Sequence, residues 1–232
     1  MATSDVGSKS RGRRRLAAGA LALTLVAGAA GPARAGYCPP EDAAADLRAL
    51  ERYGKRGGDD PHVDELCVEE IQAKPKLAAR LIAACDAVLA REPGYWDCLA
   101  WSAEAGVKTL GGVDIFAAIA KVRDLDPFAE GRLTVELYLG LGDPRAVAPV
   151  LAALRAGYAD PRSGKKKFAY LWSAFQNDAV ELFTRLGGAP ERALLAERIP
   201  LTRAPGLRKR MVKAVAAIDK RAAAPASTSP RP

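Results

Sequence analysis

"VRDLDPF", residues 122–128, sets an acid and a proline between two apolar runs. An acid followed by proline also occurs at Glu92-Pro93 and Asp160-Pro161, so that Pro93, Pro127 and Pro161 stand 34 residues apart. Proline pushes the residue before it out of helical geometry, yet suits the first position of a new helix. Aspartate is a good N-cap. One dipeptide therefore closes a helix and opens the next, with Asp126 and Asp160 as the expected caps.

Outward from these marks the apolar spacing is helical. Leu77, Leu81, Cys85, Val88 and Leu89 form one stripe, and Val147, Val150, Leu151 and Leu154 another. Phe168, Leu171, Trp172, Phe175, Leu182, Phe183 and Leu186 form a third, with a break expected near Asn177-Asp178. A last stripe, Leu207, Met211, Val215 and Ile218, opens after Pro205. Leu133, Val135, Leu137, Leu139 and Leu141 alternate like a strand, but Leu133, Leu137 and Leu141 also keep helical spacing. A lone strand would lack a partner, so the stretch is read as helix. Gly111-Gly112, Gly142 and Gly187-Gly188 are expected to supply C-terminal caps.

A period between about 20 and 50 residues denotes a repeat architecture. The expected pairs are 62–72 with 75–91, 96–105 with 114–124, 128–141 with 144–156, and a degenerate 165–176 with 179–186. Helices at 41–53, 190–198 and 207–221 flank them. The fold class is thus all-α, an α-solenoid of three to four helix–turn–helix repeats with capping helices. The expected organisation is a signal peptide over 1–35, a helix and loop over 36–60, the repeat array over 61–188, capping helices over 189–221 and a disordered tail over 222–232.

The 34-residue period, closed by Pro93, Pro127 and Pro161, resembles tetratricopeptide repeats. "AACDAVLAREPGYWDCLAWSAEA" (83–105) and "AAIAKVRDLDPFAE" (117–130) look like junctions between such units. The likeness covers about residues 61–186. It departs from the family in the small residues of the first helix and in the Gly142-Asp143 turn, which is out of frame. "LGDPRAVAPVLAAL" (141–154) equally resembles a HEAT-like repeat. Both resemblances imply stacked helix pairs whose concave surface holds a peptide or another protein.

The first residues read as an export signal. Lys9, Arg11, Arg13, Arg14 and Arg15 precede an apolar run of 15 residues, 16–30, and Ala33-Arg34-Ala35 fits a cleavage site before Gly36. That run is short of the ~20 residues a spanning helix needs. No second apolar run follows, so no transmembrane span is expected after cleavage, and the chain is placed outside the cytoplasm, periplasmic or extracellular. Without 1–35 the chain holds 29 basic and 26 acidic residues, +3 instead of +8. Residues 36–98 carry 8 basic and 13 acidic residues, −5, and the rest carries 21 and 13, +8. An acidic front and a basic rear can orient a charged partner.

The four cysteines, Cys38, Cys67, Cys85 and Cys98, read in an exported chain as two disulfides, Cys38–Cys67 and Cys85–Cys98. Their spacing and the single His62 do not fit a zinc site, and no metal or cofactor is expected. One histidine also limits nucleophile–base arrangements. "GGDDPHVDE" (57–65) gathers acids around His62, which suits a helix N-terminus and would be the centre of any enzymatic site. "SGKKKF" (163–168) lacks the glycine and Ser/Thr of a P-loop. Lys165, Lys166 and Lys167, with Arg208, Lys209 and Arg210, are the expected contacts to an acidic partner or anionic envelope surface; nucleic acid does not fit an exported chain. Phe168, Trp172 and Phe175 share helical spacing and are assigned to the core, as are Tyr95, Trp96 and Trp101. The leading expectation is a non-catalytic scaffold for an unknown protein or peptide, the alternative an electrostatic adaptor, and an enzyme comes third.

Overall fold

A computed structural model describes residues 38–61 and 63–224; the expected signal peptide, His62 and the last eight residues lie outside the described residues. Among the described residues the chain is mostly helical. The ten α-helices are α1 (Pro40–Arg56), α2 (Glu65–Gln72), α3 (Pro75–Arg91), α4 (Trp96–Glu104), α5 (Ile115–Val122), α6 (Gly131–Leu141), α7 (Val147–Ala159), α8 (Ala169–Leu186), α9 (Ala189–Arg198) and α10 (Pro205–Ala223). No described helix is long and apolar enough to cross a membrane.

Local chemistry accounts for the boundaries. Proline opens α1, α3 and α10, and α1 has Glu41 and Asp42 in its first turn and Lys55 and Arg56 in its last, matching the helix dipole. The acid-proline marks act more locally than expected. The side chains of Asp126, Asp143 and Asp160 each accept the backbone N–H two residues on. They open turns and not α-helices: Pro144–Ala146 and Pro161–Gly164 are 3₁₀, and α6 begins only at Gly131, although α3 and α7 do end just before Glu92 and Asp160, as expected. Asp143 lies 17 residues from both neighbours, halfway along the 34-residue interval. Gly142 caps α6 in the left-handed conformation, as expected.

Two expectations are corrected. Helix α8 runs unbroken through Asn177-Asp178, so the supposed fourth pair is one helix preceded by 3₁₀ turns. The Asn177 amide donates to the Ser173 carbonyl at 2.8 Å, and Asp178 accepts from Arg132, so neither side chain competes for the helix's own N–H groups. Gly111-Gly112 is not a helix cap. Both glycines have positive φ and turn a two-residue hairpin, β1 (Thr109–Leu110) against β2 (Val113–Asp114), as a type I′ turn requires. The alternating stretch 133–141 is helix, but its buried face is Thr134, Val135, Leu137, Tyr138 and Leu141, with Leu133 turned outward.

Alternate helices pack on one another, α4 on α6, α6 on α8 and α8 on α10, and α1 packs on α3. Gln72, at the end of α2, donates to Glu104 at the end of α4 at 3.2 Å. Gly140, near the end of α6, lies against the Ala103 carbonyl, and Arg221 of α10 donates to the carbonyl of Gly187 just past α8. Arg132 of α6 meets Asp178 of α8 at 3.0 Å, each eight or nine residues before its helix ends. Helices α2, α4, α6, α8 and α10 therefore form a row with their C-terminal ends together. Helices α5, α7 and α9 pack against members of that row. The core between α7 and α8 is aromatic: Trp172 meets Tyr158 edge-on at 5.1 Å and Phe128 at 5.4 Å.

One arrangement occurs twice. Arg145 lies over the Phe116 ring at 4.7 Å while pairing with Asp143 and Asp114. Arg162 lies over Phe128 at 4.6 Å while pairing with Asp160 and Asp126. In each, the arginine of an Asp-Pro-Arg turn stacks on the phenylalanine, and pairs with the aspartate, of an earlier Asp-x-Phe segment. The hydrogen bonds from Arg145 hold Asp143 and Asp114 below the usual carboxylate range, and those from Arg162 do so for Asp160.

Candidate binding cleft

Helices α2 and α4 meet across an open cleft of about 520 Å³. The residues of α4 that line it, Asp97, Ala100, Trp101 and Glu104, fall at i, i+3, i+4 and i+7, one helical face. Val68, Glu69 and Gln72 supply the facing side from α2, and Val63 and Trp96 complete it. The charged side chains of the lining are all carboxylates.

The walls are held by their neighbours. Tyr95, just before α4, is buried, and its hydroxyl donates to Asp60 at 2.6 Å; burial, and then Asp60, push that phenol well above its ordinary range. Trp101 is buried and Trp96 half-buried, so the core assignment holds for Trp101 and in part for Trp96. Arg123, outside the cleft, lies over the Trp96 ring at 4.3 Å and pairs with Glu130. The Cys85–Cys98 disulfide ties α4 to α3 at the residue after Asp97 of the cleft face, and Cys38–Cys67 ties the chain before α1 to α2. This is the expected pairing.

Along the row the charge changes sign. On α6 and α8, Arg132 bridges Glu136 and Asp178. Burial raises Asp178 above its ordinary range, and Glu136 adds to that against the pull of Arg132. Between α8 and α10 a second cleft of about 420 Å³ includes Glu181, Arg185, Arg210 and Lys213 in its lining; Arg185 pairs with Glu181, which leaves the lining with an excess of positive charge.

The expected basic contacts do not share that cleft. Arg210 lines it, whereas Arg208 and Lys209 are exposed on the first turns of α10 outside its lining. Lys165, Lys166 and Lys167 are exposed on the turns before α8, where Lys167 lies over Phe168 at 4.7 Å. His62 falls outside the described residues. No group of three or more His, Cys, Asp or Glu among the described residues is placed to hold a metal. The cleft between α2 and α4 escapes a reading of sequence because Glu69 and Gln72 are distant in chain from Trp101 and Glu104. The available signal was the helical spacing of Asp97 and Glu104 around Trp101. No family model, no curated protein and no solved structure matches the chain.

Proposed function

We propose that the chain is an exported α-solenoid scaffold that holds a segment of another protein, without catalysis, along the row α2–α4–α6–α8–α10. The observation that carries this reading is the row itself: aligned helices with a carboxylate-lined cleft at one end and a cationic cleft at the other. Stacked pairs that bury their faces only on neighbours leave such an extended surface. The likeness to tetratricopeptide or HEAT-like units points the same way, and two disulfides suit an oxidising compartment.

The test is affinity capture from envelope and secreted fractions with the oxidised chain from residue 36, at low salt and at about 0.5 M salt, where surface charge contacts are screened. A parallel bait carries Glu69→Gln, Glu104→Gln, Arg210→Ala and Lys213→Ala. A discrete protein retained at high salt by the first bait and released by the second supports the scaffold. Acidic material lost equally from both baits at high salt supports the electrostatic adaptor. Empty lanes overturn both.

A further inference from the structure

The cleft between α2 and α4 lies within the ~300–1,000 Å³ range of ligand pockets, and its chemistry is one-sided. Two indoles, Trp96 and Trp101, flank it, and Glu69, Asp97 and Glu104 supply its charge. An anionic group would meet three carboxylates, and an aliphatic one would strip them of water with nothing in return. A cation satisfies both walls, because an indole face attracts positive charge and a carboxylate accepts its N–H groups. The carboxylates are not gathered as a metal site would need. A planar cation suits the spread of acceptors better than a point charge, since guanidinium donates through a fork while its face stacks on a ring. The same pairing is used inside the molecule: Arg123 on Trp96, Arg145 on Phe116, Arg162 on Phe128 and Arg198 on Tyr158 all lie within 4.7 Å of the ring centre.

We infer that this cleft receives an arginine side chain of the bound protein segment, the guanidinium resting against Trp101, since Arg123 already lies over Trp96, and paired with Glu69 and Glu104. The inference rests on the scaffold reading and gives it a direction: the basic end of the partner segment lies on α2 and α4.

The chain's own tryptophans report the outcome. Trp96 and Trp101 line the cleft, while Trp172 is buried in the aromatic core between α7 and α8. The probe is the peptide acetyl-Gly-Arg-Gly-amide, titrated into the oxidised chain from residue 36 while the three indole N–H resonances are followed by NMR. The same peptide with citrulline, which keeps the shape and loses the charge, is the control. The expected result is saturable movement of the Trp96 and Trp101 signals with Trp172 stationary, no response to citrulline, and at least ~10-fold weaker binding in Glu69→Gln/Glu104→Gln. Both carboxylates are exposed, and glutamine preserves a partner for Gln72, so an unmoved Trp172 signal also certifies the variant's fold. Equal response to citrulline, unchanged affinity in the double variant, or no saturation at millimolar peptide overturns the inference. If a captured protein stays bound to a chain carrying only Glu69→Gln/Glu104→Gln, the scaffold stands and the arginine site falls.

Discussion

Gly111 and Gly112 share one turn but not one environment. Both have positive φ, which for an L-residue costs roughly 1–2 kcal/mol. A Cβ on Gly112 would meet nothing, whereas one on Gly111 would lie 2.5 Å from the Ala90 nitrogen and 2.6 Å from the Asp86 carbonyl. Gly111→Ala is therefore expected to destabilise more than Gly112→Ala by at least ~1 kcal/mol, the scale of overpacking a closed contact. Urea midpoints of the two variants measure the difference; equal midpoints would mean that α3 yields to the hairpin. Asp143 gives a prediction in pH. It is 5 % exposed and takes three hydrogen bonds from the Arg145 guanidinium and one from the Arg145 backbone N–H, so its folded value lies below the ~3.9 of an unfolded chain. A depressed carboxylate stabilises the fold above the unfolded value and loses that contribution as pH falls through the folded one. Arg145→Ala removes the guanidinium's share of it, the largest, and leaves the backbone N–H of residue 145 in place. The stability gap between wild type and Arg145→Ala should thus be widest at neutral pH and narrow toward pH 2; a constant gap would assign the role of Arg145 to its stacking on Phe116.

Where two helices touch, propensity and packing can be set against each other. Gly140 lies inside α6, where alanine would be favoured over glycine by about 1 kcal/mol. A Cβ there, however, would stand 2.6 Å from the Ala103 carbonyl of α4. Gly140→Ala should lower the thermal midpoint despite its better propensity, and a higher midpoint would show that α4 and α6 can move apart freely. This contact explains in part what the sequence makes legible. Periodicity places α3 to the residue and α1, α9 and α10 to within three, because one-sided burial leaves a stripe in the sequence whatever the partner. It puts a break into α8 where there is none, since Asn177 and Asp178 resemble a turn until Ser173 and Arg132 are known to occupy them. It reads Gly111-Gly112 as a cap because the hairpin's support, Asp86 accepting from the Gly111 N–H at 2.7 Å, comes from 25 residues earlier. The cleft is hidden for the same reason: its two sides belong to different helices, and only the fold shows which carboxylates face which indoles.

Across the whole molecule the covalent bonds are unevenly shared. Both disulfides lie before residue 99, while α6 to α10 are held by packing, ion pairs and hydrogen bonds with no disulfide among them. Closing a loop constrains the unfolded chain by about 3 kcal/mol at a separation of 13 residues and about 3.5 kcal/mol at 29. Cys85→Ala/Cys98→Ala and Cys38→Ala/Cys67→Ala should each lose stability on that scale. Hydrogen exchange should place the first loss in α3 and α4, the second in α1 and α2, with α10 little changed; uniform loss would mean that the molecule opens as one unit. The asymmetry has a mechanical counterpart. A chain pulled by its two ends would come apart from α10 inward, each helix released adding length, until only the crosslinked part remained. There the two bridges would withhold 42 residues, roughly 140 Å of fully extended chain at ~3.4 Å per residue, and a reductant would release that hidden length in two steps.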